Sequence, residues 1–147
     1  MTILVSACLL GENCKYDGGS NRTDWLIRLQ KQHRLIPVCP EMLGGLPAPR
    51  MPAEISEGTV ISKDGRSFDE AFRNGARKAL RIAEESGIDC AILQSRSPSC
   101  GKGVIYDGTF SGKLVPGNGV FASLLENNGF TVIDVREAER MFGQSAD

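Results

Sequence analysis

A chain of 147 residues with a formal net charge of −1 is the size of one ordinary domain, and it can bury a core without disulfides. Its 17 basic and 18 acidic residues argue against a large nucleic-acid footprint, which usually needs a clustered basic face. No stretch approaches the ~20 apolar residues of a membrane span, and the short apolar N-terminal run has no basic flank, so we expect a cytoplasmic protein.

The first half of the chain predicts short apolar strands joined by long polar loops. The predicted elements are a strand over residues 2–7, a helix over 24–33 with Trp25, Leu26 and Leu29 facing inward, a strand over 34–38, and a small strand at Val60-Ile61-Ser62. Asn21 or Thr23 can cap the first helix. Five of the seven prolines fall between Pro37, near the end of the second strand, and Pro52 in the loop that follows it. A loop as long as residues 39–66 is uncommon in a compact domain and is often functional.

The second half alternates helices and strands more regularly. Its predicted elements are a helix over 68–86, a strand over 89–94, a helix over 119–127, a strand over 130–134 and a last helix over 135–142. Ser67 and Glu70 have the spacing of a capping box before the long helix, and Gly87 can close that helix. Residues 95–119 form a second long loop, rich in Gly and Ser.

This alternation predicts an α/β fold in which residues 1–147 form a single domain. We expect a mostly parallel, open, Rossmann-like sheet of about four to five strands with flanking helices. The long loops follow the first, second and third strands, so they should all open at the carboxyl ends of the strands.

Three cysteines stand just beyond three of the predicted strands: Cys8, Cys39 and Cys100. Ligands bind at the carboxyl ends of strands in open parallel sheets, so these thiols are expected to converge on one metal centre. Cys90 opens an apolar strand and is expected to be a core residue. The odd total of five cysteines cannot pair completely within the chain, which favours free thiols in a reducing cytosol.

The spacing of the cysteines does not choose the metal. Cys14 could add a fourth thiolate and close a zinc or iron–sulfur site, whereas three ligands would leave an open, Lewis-acidic position. The chain has no Cys-x-x-Cys pair, and its one histidine, His33, is expected at the surface.

Polar residues near the cysteines are candidates for catalysis and binding. Glu41 follows Cys39 closely and could act as a general acid or base, although a solvated loop carboxylate is the simpler interpretation. Ser97 and Ser99 could bond a substrate rather than a turn. The further candidates for substrate or phosphate contacts are Ser20 and Arg22 in a glycine-rich loop before a helix, Arg96 and Lys102 beside the third cysteine, and the aromatic rings of Tyr16, Phe110 and Tyr106.

Several motifs together resemble the TudS-type thiouracil desulfurases, over nearly the whole chain. The motifs are VSACLLG at 5–11, CKYDGG at 14–19, PVCPE at 37–41, GLPAPR at 45–50, SRSPSCG at 95–101 and YDGTFSGK at 106–113.

The resemblance implies a function for several of these residues. It implies a 4Fe–4S cluster held by Cys8, Cys39 and Cys100, a catalytic pair of Glu41 and Ser97, and a thiolated pyrimidine substrate, with 4-thiouridine monophosphate favoured over the free base. The expected reaction replaces the thiocarbonyl by a carbonyl and releases hydrosulfide without net redox change. The rival interpretations are a zinc- or cluster-stabilised binding protein and an electron-transfer protein. The oligomeric state is left open.

Overall fold

Residues 1–143 of the computed structural model form eight β-strands, five α-helices and two short 3-10 turns. In chain order they are β1 (Thr2–Ser6), a 3-10 turn (Ala7–Leu10), α1 (Asp24–Arg28), a 3-10 turn (Leu29–Lys31), β2 (Arg34–Val38), α2 (Pro40–Leu43), β3 (Ala53–Ser56), β4 (Thr59–Ser62), α3 (Asp69–Ser86), β5 (Cys90–Leu93), β6 (Val104–Tyr106), β7 (Leu114–Pro116), α4 (Val120–Asn127), β8 (Val132–Asp134) and α5 (Val135–Phe142).

The central sheet has four parallel strands in the order β2-β1-β5-β8, which confirms the predicted α/β fold. In the two middle strands, Leu4 of β1 pairs with Ile36 of β2 on one side and with Ala91 of β5 on the other. The side chains of β1 and β5 are buried almost throughout. A parallel strand covered on both faces needs such a continuous apolar run, which explains why both strands were visible in the sequence.

Helices cover both faces of the sheet. On one face, α3 and α4 pack Ala76, Ala79 and Phe121 against Leu4 and Leu93. On the other face, Leu26, Leu29 and Ala138 pack against Ile3 and Ile92. The inward orientation predicted for Leu26 and Leu29 is therefore confirmed, although the helix predicted over 24–33 is shorter and ends in a 3-10 turn.

The N-terminal side-chain cap bonds predicted for two helices are absent. Helix α3 begins at Asp69, with Phe68 at the N-cap and no side-chain cap bond. Ser67 is drawn into a bridge with Ile61, and its Oγ accepts only a 3.4 Å bond from the Asp69 N–H. Thr23 does occupy the N-cap position of α1, but its hydroxyl donates to the Asn21 carbonyl instead of accepting from the helix. Gly87 closes α3 in a left-handed conformation, as predicted.

Two antiparallel hairpins occupy the segments that were predicted as long loops. The predicted strand at 60–62 belongs to β4, whose partner β3 was not predicted, and the hairpin β6–β7 was not predicted either. The Glu54 carboxylate joins the two hairpins, because its Oε1 accepts the backbone N–H groups of Gly108 at 3.0 Å and Phe110 at 3.1 Å.

Helix α2 lies against α3 through two glycines. A Cβ on Gly75 would lie 1.7 Å from the Pro40 carbonyl oxygen, and a Cβ on Gly44 would lie 2.0 Å from the Ala71 carbonyl oxygen. Any side chain at either position would therefore separate the helices. This contact fixes α2 directly after β2, so the chain leaves the sheet at one defined place. Within residues 1–143, no helix has both the length and the apolarity needed to cross a bilayer.

Candidate functional site

A cavity of about 730 Å³ opens at the carboxyl edge of the parallel sheet. The residues after β1, β2 and β5 line it, and the hairpins contribute residues at its rim. The cysteines that line this cavity are Cys8, Cys14, Cys39 and Cys100. The three strand-end cysteines therefore line one cavity, and Cys14 joins them from the loop after β1.

The side chains of Cys39, Cys14 and Cys8 are neighbours in the cavity. The Cys39 thiol donates to the Cys14 carbonyl at 3.9 Å. Cys8 accepts from the Asn21 amide at 3.6 Å. Cys90 does not line the cavity and is buried in the core, while His33 lies at the amino end of β2 with its ring against Phe142.

Neighbouring groups and burial give the four cavity thiols different pKa values. The neighbouring Cys14 thiol lowers the pKa of Cys8, whereas interaction with Cys14 and burial raise the pKa of Cys39. The pKa of Cys14 rises to about 11: its interaction with Cys39 lowers it, but its interaction with Cys8 and its burial outweigh that effect. Burial raises the pKa of Cys100 to about 12. Metal binding requires thiolates, so it would displace protons from these thiols.

The donor set fits a polynuclear cluster. Among residues 1–143, no group of three or more His, Cys, Asp or Glu side chains is placed to hold a single metal ion. The ligands of an iron–sulfur cluster bind different irons and need not meet at one point. Four thiols along one cavity satisfy that requirement. The Ser95 hydroxyl is buried in the same cavity and has no hydrogen-bond partner in the described chain. An unsatisfied buried hydroxyl destabilises the folded protein by about 1–3 kcal/mol unless a bound group forms the missing hydrogen bond.

Glu41 lies in α2, directly beyond the thiol at the end of β2. Its side chain is 15% exposed, and its Oε2 accepts a 2.7 Å hydrogen bond from Ser99 Oγ. Arg50 occupies the other oxygen, donating to Oε1 from Nε at 3.1 Å and from Nη2 at 2.9 Å. Arg50 also donates to the Cys14 carbonyl at 2.8 Å, so one guanidinium, 5% exposed, links the carboxylate to the loop that carries the fourth thiol.

Ser97 and Ser99 form a chain of hydroxyls that ends at Glu41. Ser97 Oγ accepts the backbone N–H groups of Ser99 and Cys100, both at 3.1 Å, which leaves its proton for Ser99 Oγ at 2.9 Å. Ser99 then donates to the carboxylate. Ser99 is therefore the serine in direct contact with Glu41, and Ser97 lies one hydrogen bond further away.

The first turn of α4 holds residues 97–100, the serine loop, in place. The N–H of Val120 donates to the Pro98 carbonyl, and that of Phe121 donates to the Ser99 carbonyl, both at 2.8 Å. These are the N–H groups that a helix cannot satisfy internally. Gly119 permits the close approach, because a Cβ there would lie 2.5 Å from the Ser99 carbonyl carbon.

The proposed substrate-binding residues separate into two groups. Tyr16, Arg96 and Ser99 line the cavity, as does Tyr106. Ser20, Arg22, Lys102 and Phe110 are not among its lining residues. Arg22 pairs with Asp24 at 2.9 Å and Lys102 with Glu126 at 2.5 Å, while Phe110 contributes its backbone N–H to Glu54.

Arg50 and Gln94 are cavity residues for which the sequence suggested no role. The sequence could have identified Arg50, since a charged residue inside a proline- and glycine-rich loop is a candidate for a functional contact. Gln94 follows a buried strand and gave no signal of its own.

Comparisons with known proteins agree with this architecture. The family model described as 2-thiouracil desulfurase matches residues 3–137. The uncharacterized protein YbbK of Bacillus subtilis (strain 168) is 41% identical over 145 residues, covering 92% of this chain and 96% of YbbK. The solved structure of the 4Fe–4S-dependent thiouracil desulfidase TudS is similar with a TM-score of 0.89 and 39% identity, covering 99% of each chain. The family match spans the cysteines, Glu41 and the serine loop, and the chain belongs to the 2-thiouracil desulfurase family.

Proposed function

We propose that residues 1–147 form a single desulfurase domain that converts thiolated pyrimidines to their oxo form and releases hydrosulfide in the cytoplasm, as part of nucleotide salvage. The observation that carries the proposal is the shared cavity of Cys8, Cys39, Cys100 and the Glu41–Ser99 pair. Family membership supports desulfuration, and the name of the TudS structure supports a 4Fe–4S cofactor.

Cys8, Cys39 and Cys100 would hold the 4Fe–4S cluster. With three protein ligands, the bound cluster supplies an open iron that acts as a Lewis acid toward the thiocarbonyl sulfur. The overall change is C=S + H₂O → C=O + HS⁻ + H⁺, in which no atom is oxidised or reduced. The protein must therefore activate water and move protons, and it needs no electron donor.

Glu41 is the proposed base for the attacking water. Arg50 occupies Oε1, so the proton goes to Oε2, the oxygen bonded to Ser99. Once Oε2 is protonated, it can donate to Ser99 Oγ, and Ser99 can turn its own hydrogen to Ser97 Oγ as one of the two backbone N–H bonds to that oxygen opens. The hydroxyl chain thereby carries a proton from the carboxylate to Ser97, whose own hydrogen becomes available to the leaving sulfur. Positioned proton transfer of this kind contributes typically about 10²–10⁴-fold to a rate.

The cavity favours a nucleotide, such as 4-thiouridine monophosphate, over the free bases. Its volume of about 730 Å³ lies within the range of small-molecule sites, roughly 300–1,000 Å³. Lys15, Arg96 and Arg136 line it, while the charge of Glu41 is balanced by Arg50. Of these cations, Arg96 makes no ion pair within residues 1–143 and suits a 5′-phosphate, and the rings of Tyr16 and Tyr106 are available to stack on a base.

One observation favours a second candidate, a four-thiolate site in a binding or electron-transfer protein. The Cys14 thiol lines the same cavity as Cys8 and Cys39 and neighbours both of them. A fourth thiolate would close the site to substrate sulfur.

Anaerobic purification and assay test the proposed function. We expect a brown protein with about four irons and four sulfides that releases hydrosulfide from 4-thiouridine monophosphate without a reductant. Stoichiometric zinc without turnover would refute the proposal. Cluster-dependent electron transfer without desulfuration would favour the electron-transfer interpretation instead.

Cys14→Ser is expected to retain its full iron content, because Cys14 is not one of the three proposed ligands. Iron and sulfide analysis, together with the visible absorption of the cluster, measures the outcome. Cys39→Ser is the matched comparison and should lose iron. If Cys14→Ser loses iron to the same extent, four thiolates bind the metal and the open iron is excluded.

A further inference from the structure

The polar side chains of the cavity differ in whether they already have hydrogen-bond or ion-pair partners within the protein. Most are committed to partners. Glu41 bonds Arg50 and Ser99, Glu54 bonds two hairpin N–H groups, and the Asn21 amide donates to Cys8. Lys15 pairs with Asp17 at 3.8 Å, and Arg136 with Asp134 at 3.9 Å. These groups hold the site together and have limited capacity left for a ligand.

Three consecutive side chains after β5 have no such partner. Within residues 1–143, the Gln94 carboxamide and the Arg96 guanidinium make no hydrogen bond or ion pair with the protein, and Ser95 Oγ is buried without a partner. Buried polar groups are normally satisfied in native proteins, so the Ser95 hydroxyl indicates a group that a ligand completes. The half-buried side chains of Gln94 and Arg96 lie in the same cavity and are free to contact that ligand.

The position of this segment in the fold supports the same conclusion. Strand β5 is one of the two middle strands of the sheet, so the segment leaves the centre of the edge where ligands bind. The Gln94 N–H donates to Ser6 Oγ at 2.9 Å, which fixes its backbone. Arg96 has a φ of 64°, a conformation that costs energy for a non-glycine residue and that occurs preferentially at functional sites.

We propose that Gln94 recognises the imide edge of the pyrimidine and that this carboxamide sets the preference for an unsubstituted N3–H. The inference rests on the proposed function, because it assigns the base-reading residue of that same cavity. A thiolated uracil presents an N3–H donor beside the carbonyl oxygen that does not react. A carboxamide matches that pair, with its oxygen accepting the N3–H and its NH₂ donating to the carbonyl.

The other free groups of the cavity cannot do this alone. The Arg96 guanidinium only donates, so it cannot accept the N3–H, and it suits an anion instead. The Ser95 hydroxyl can form one bond as donor but does not span both atoms. Asn21 is the other carboxamide of the described cavity, but its NH₂ already donates to Cys8, so Gln94 is the carboxamide whose donor and acceptor are both uncommitted.

The test compares 4-thiouridine monophosphate with its N3-methyl analogue in the cluster-loaded enzyme. We expect the wild type to prefer the parent substrate strongly. Gln94→Met, which keeps the length but removes both hydrogen bonds, should lose about 10- to 100-fold in kcat/KM for the parent, mainly through KM. It should also treat the two substrates alike to within about threefold. Gln32→Met, an exposed substitution remote from the cavity, should match the wild type.

Calorimetry with the products gives a readout that does not depend on turnover or on the folding of a variant. The wild type should bind uridine monophosphate at least about tenfold more tightly than N3-methyluridine monophosphate. Equal affinity for the two nucleotides would refute the inference, as would a Gln94→Met enzyme that keeps the wild-type substrate ratio. A wild type that releases no hydrosulfide from any thiolated pyrimidine would instead refute the proposed function.

Discussion

Glu41→Gln is expected to fold and to bind iron like the wild type, yet to lose about 10²–10⁴-fold in kcat. The substitution keeps the shape of the side chain but removes the charge that Arg50 neutralises and the oxygen that can take a proton. It leaves every cavity cysteine in place. The measurement is hydrosulfide release at saturating substrate, with iron content and thermal unfolding determined on the same samples.

Glu57→Gln is the matched control, because Glu57 is an exposed glutamate in the β3–β4 turn, and its turnover should be unchanged. Ser99→Ala and Ser97→Ala refine the test. If the hydroxyl chain carries the proton, both variants should slow turnover, since each breaks a different bond of the same path. Full turnover in Glu41→Gln would remove the carboxylate from the mechanism.

Gly75→Ala is expected to destabilise the protein by about 3 kcal/mol, at the upper end of the range for overpacking. In an ordinary helix interior the same change is stabilising by roughly 0.4–1 kcal/mol, so the sign of the effect is diagnostic. Here the new Cβ would meet the Pro40 carbonyl oxygen at 1.7 Å, and a backbone atom cannot rotate away. At 2–4 °C per kcal/mol for a chain of this size, Tm should fall by about 6–12 °C.

The same variant should lose activity beyond its loss of stability, because α2 carries Glu41 and follows Cys39 directly. Activity is therefore measured well below the Tm of the variant. Glu84→Ala, an exposed change on the same helix, should alter the free energy of unfolding by no more than about 0.5 kcal/mol. A Gly75→Ala protein as stable and as active as the wild type would show that α2 can shift without consequence for the site.

The parts of the fold that were predicted correctly are those whose sequence pattern directly reflects how they are buried in the folded protein. Strands β1 and β5 are apolar throughout because both of their faces are covered. The hairpins were missed because β3, β6 and β7 are short and lack a buried apolar run. Ser67 failed as a cap because a bridge to Ile61 competes for its backbone, and that contact depends on the hairpin.

The candidate site, like the fold, could be predicted from the sequence only in part. Residues at strand ends could be placed, since a parallel sheet gathers them at one edge. The contacts among them could not, because the bond between Ser99 and Glu41 and the bonds from Arg50 join separate loops. The resemblance implied Ser97 as the partner of Glu41, whereas the geometry places Ser99 in direct contact with the carboxylate and Ser97 one hydrogen bond further away.

The position of the cavity thiols also couples folding to cofactor binding. Cys8 follows β1 and Cys100 follows β5, and the two side chains become neighbours only once these strands have paired. An unfolded or nascent chain therefore has no preformed site for the cofactor, and the free energy of cofactor binding stabilises the folded chain. The same contacts that assemble the sheet thus also assemble the ligands, so a change that weakens the pairing of β1 with β5 weakens cofactor binding too.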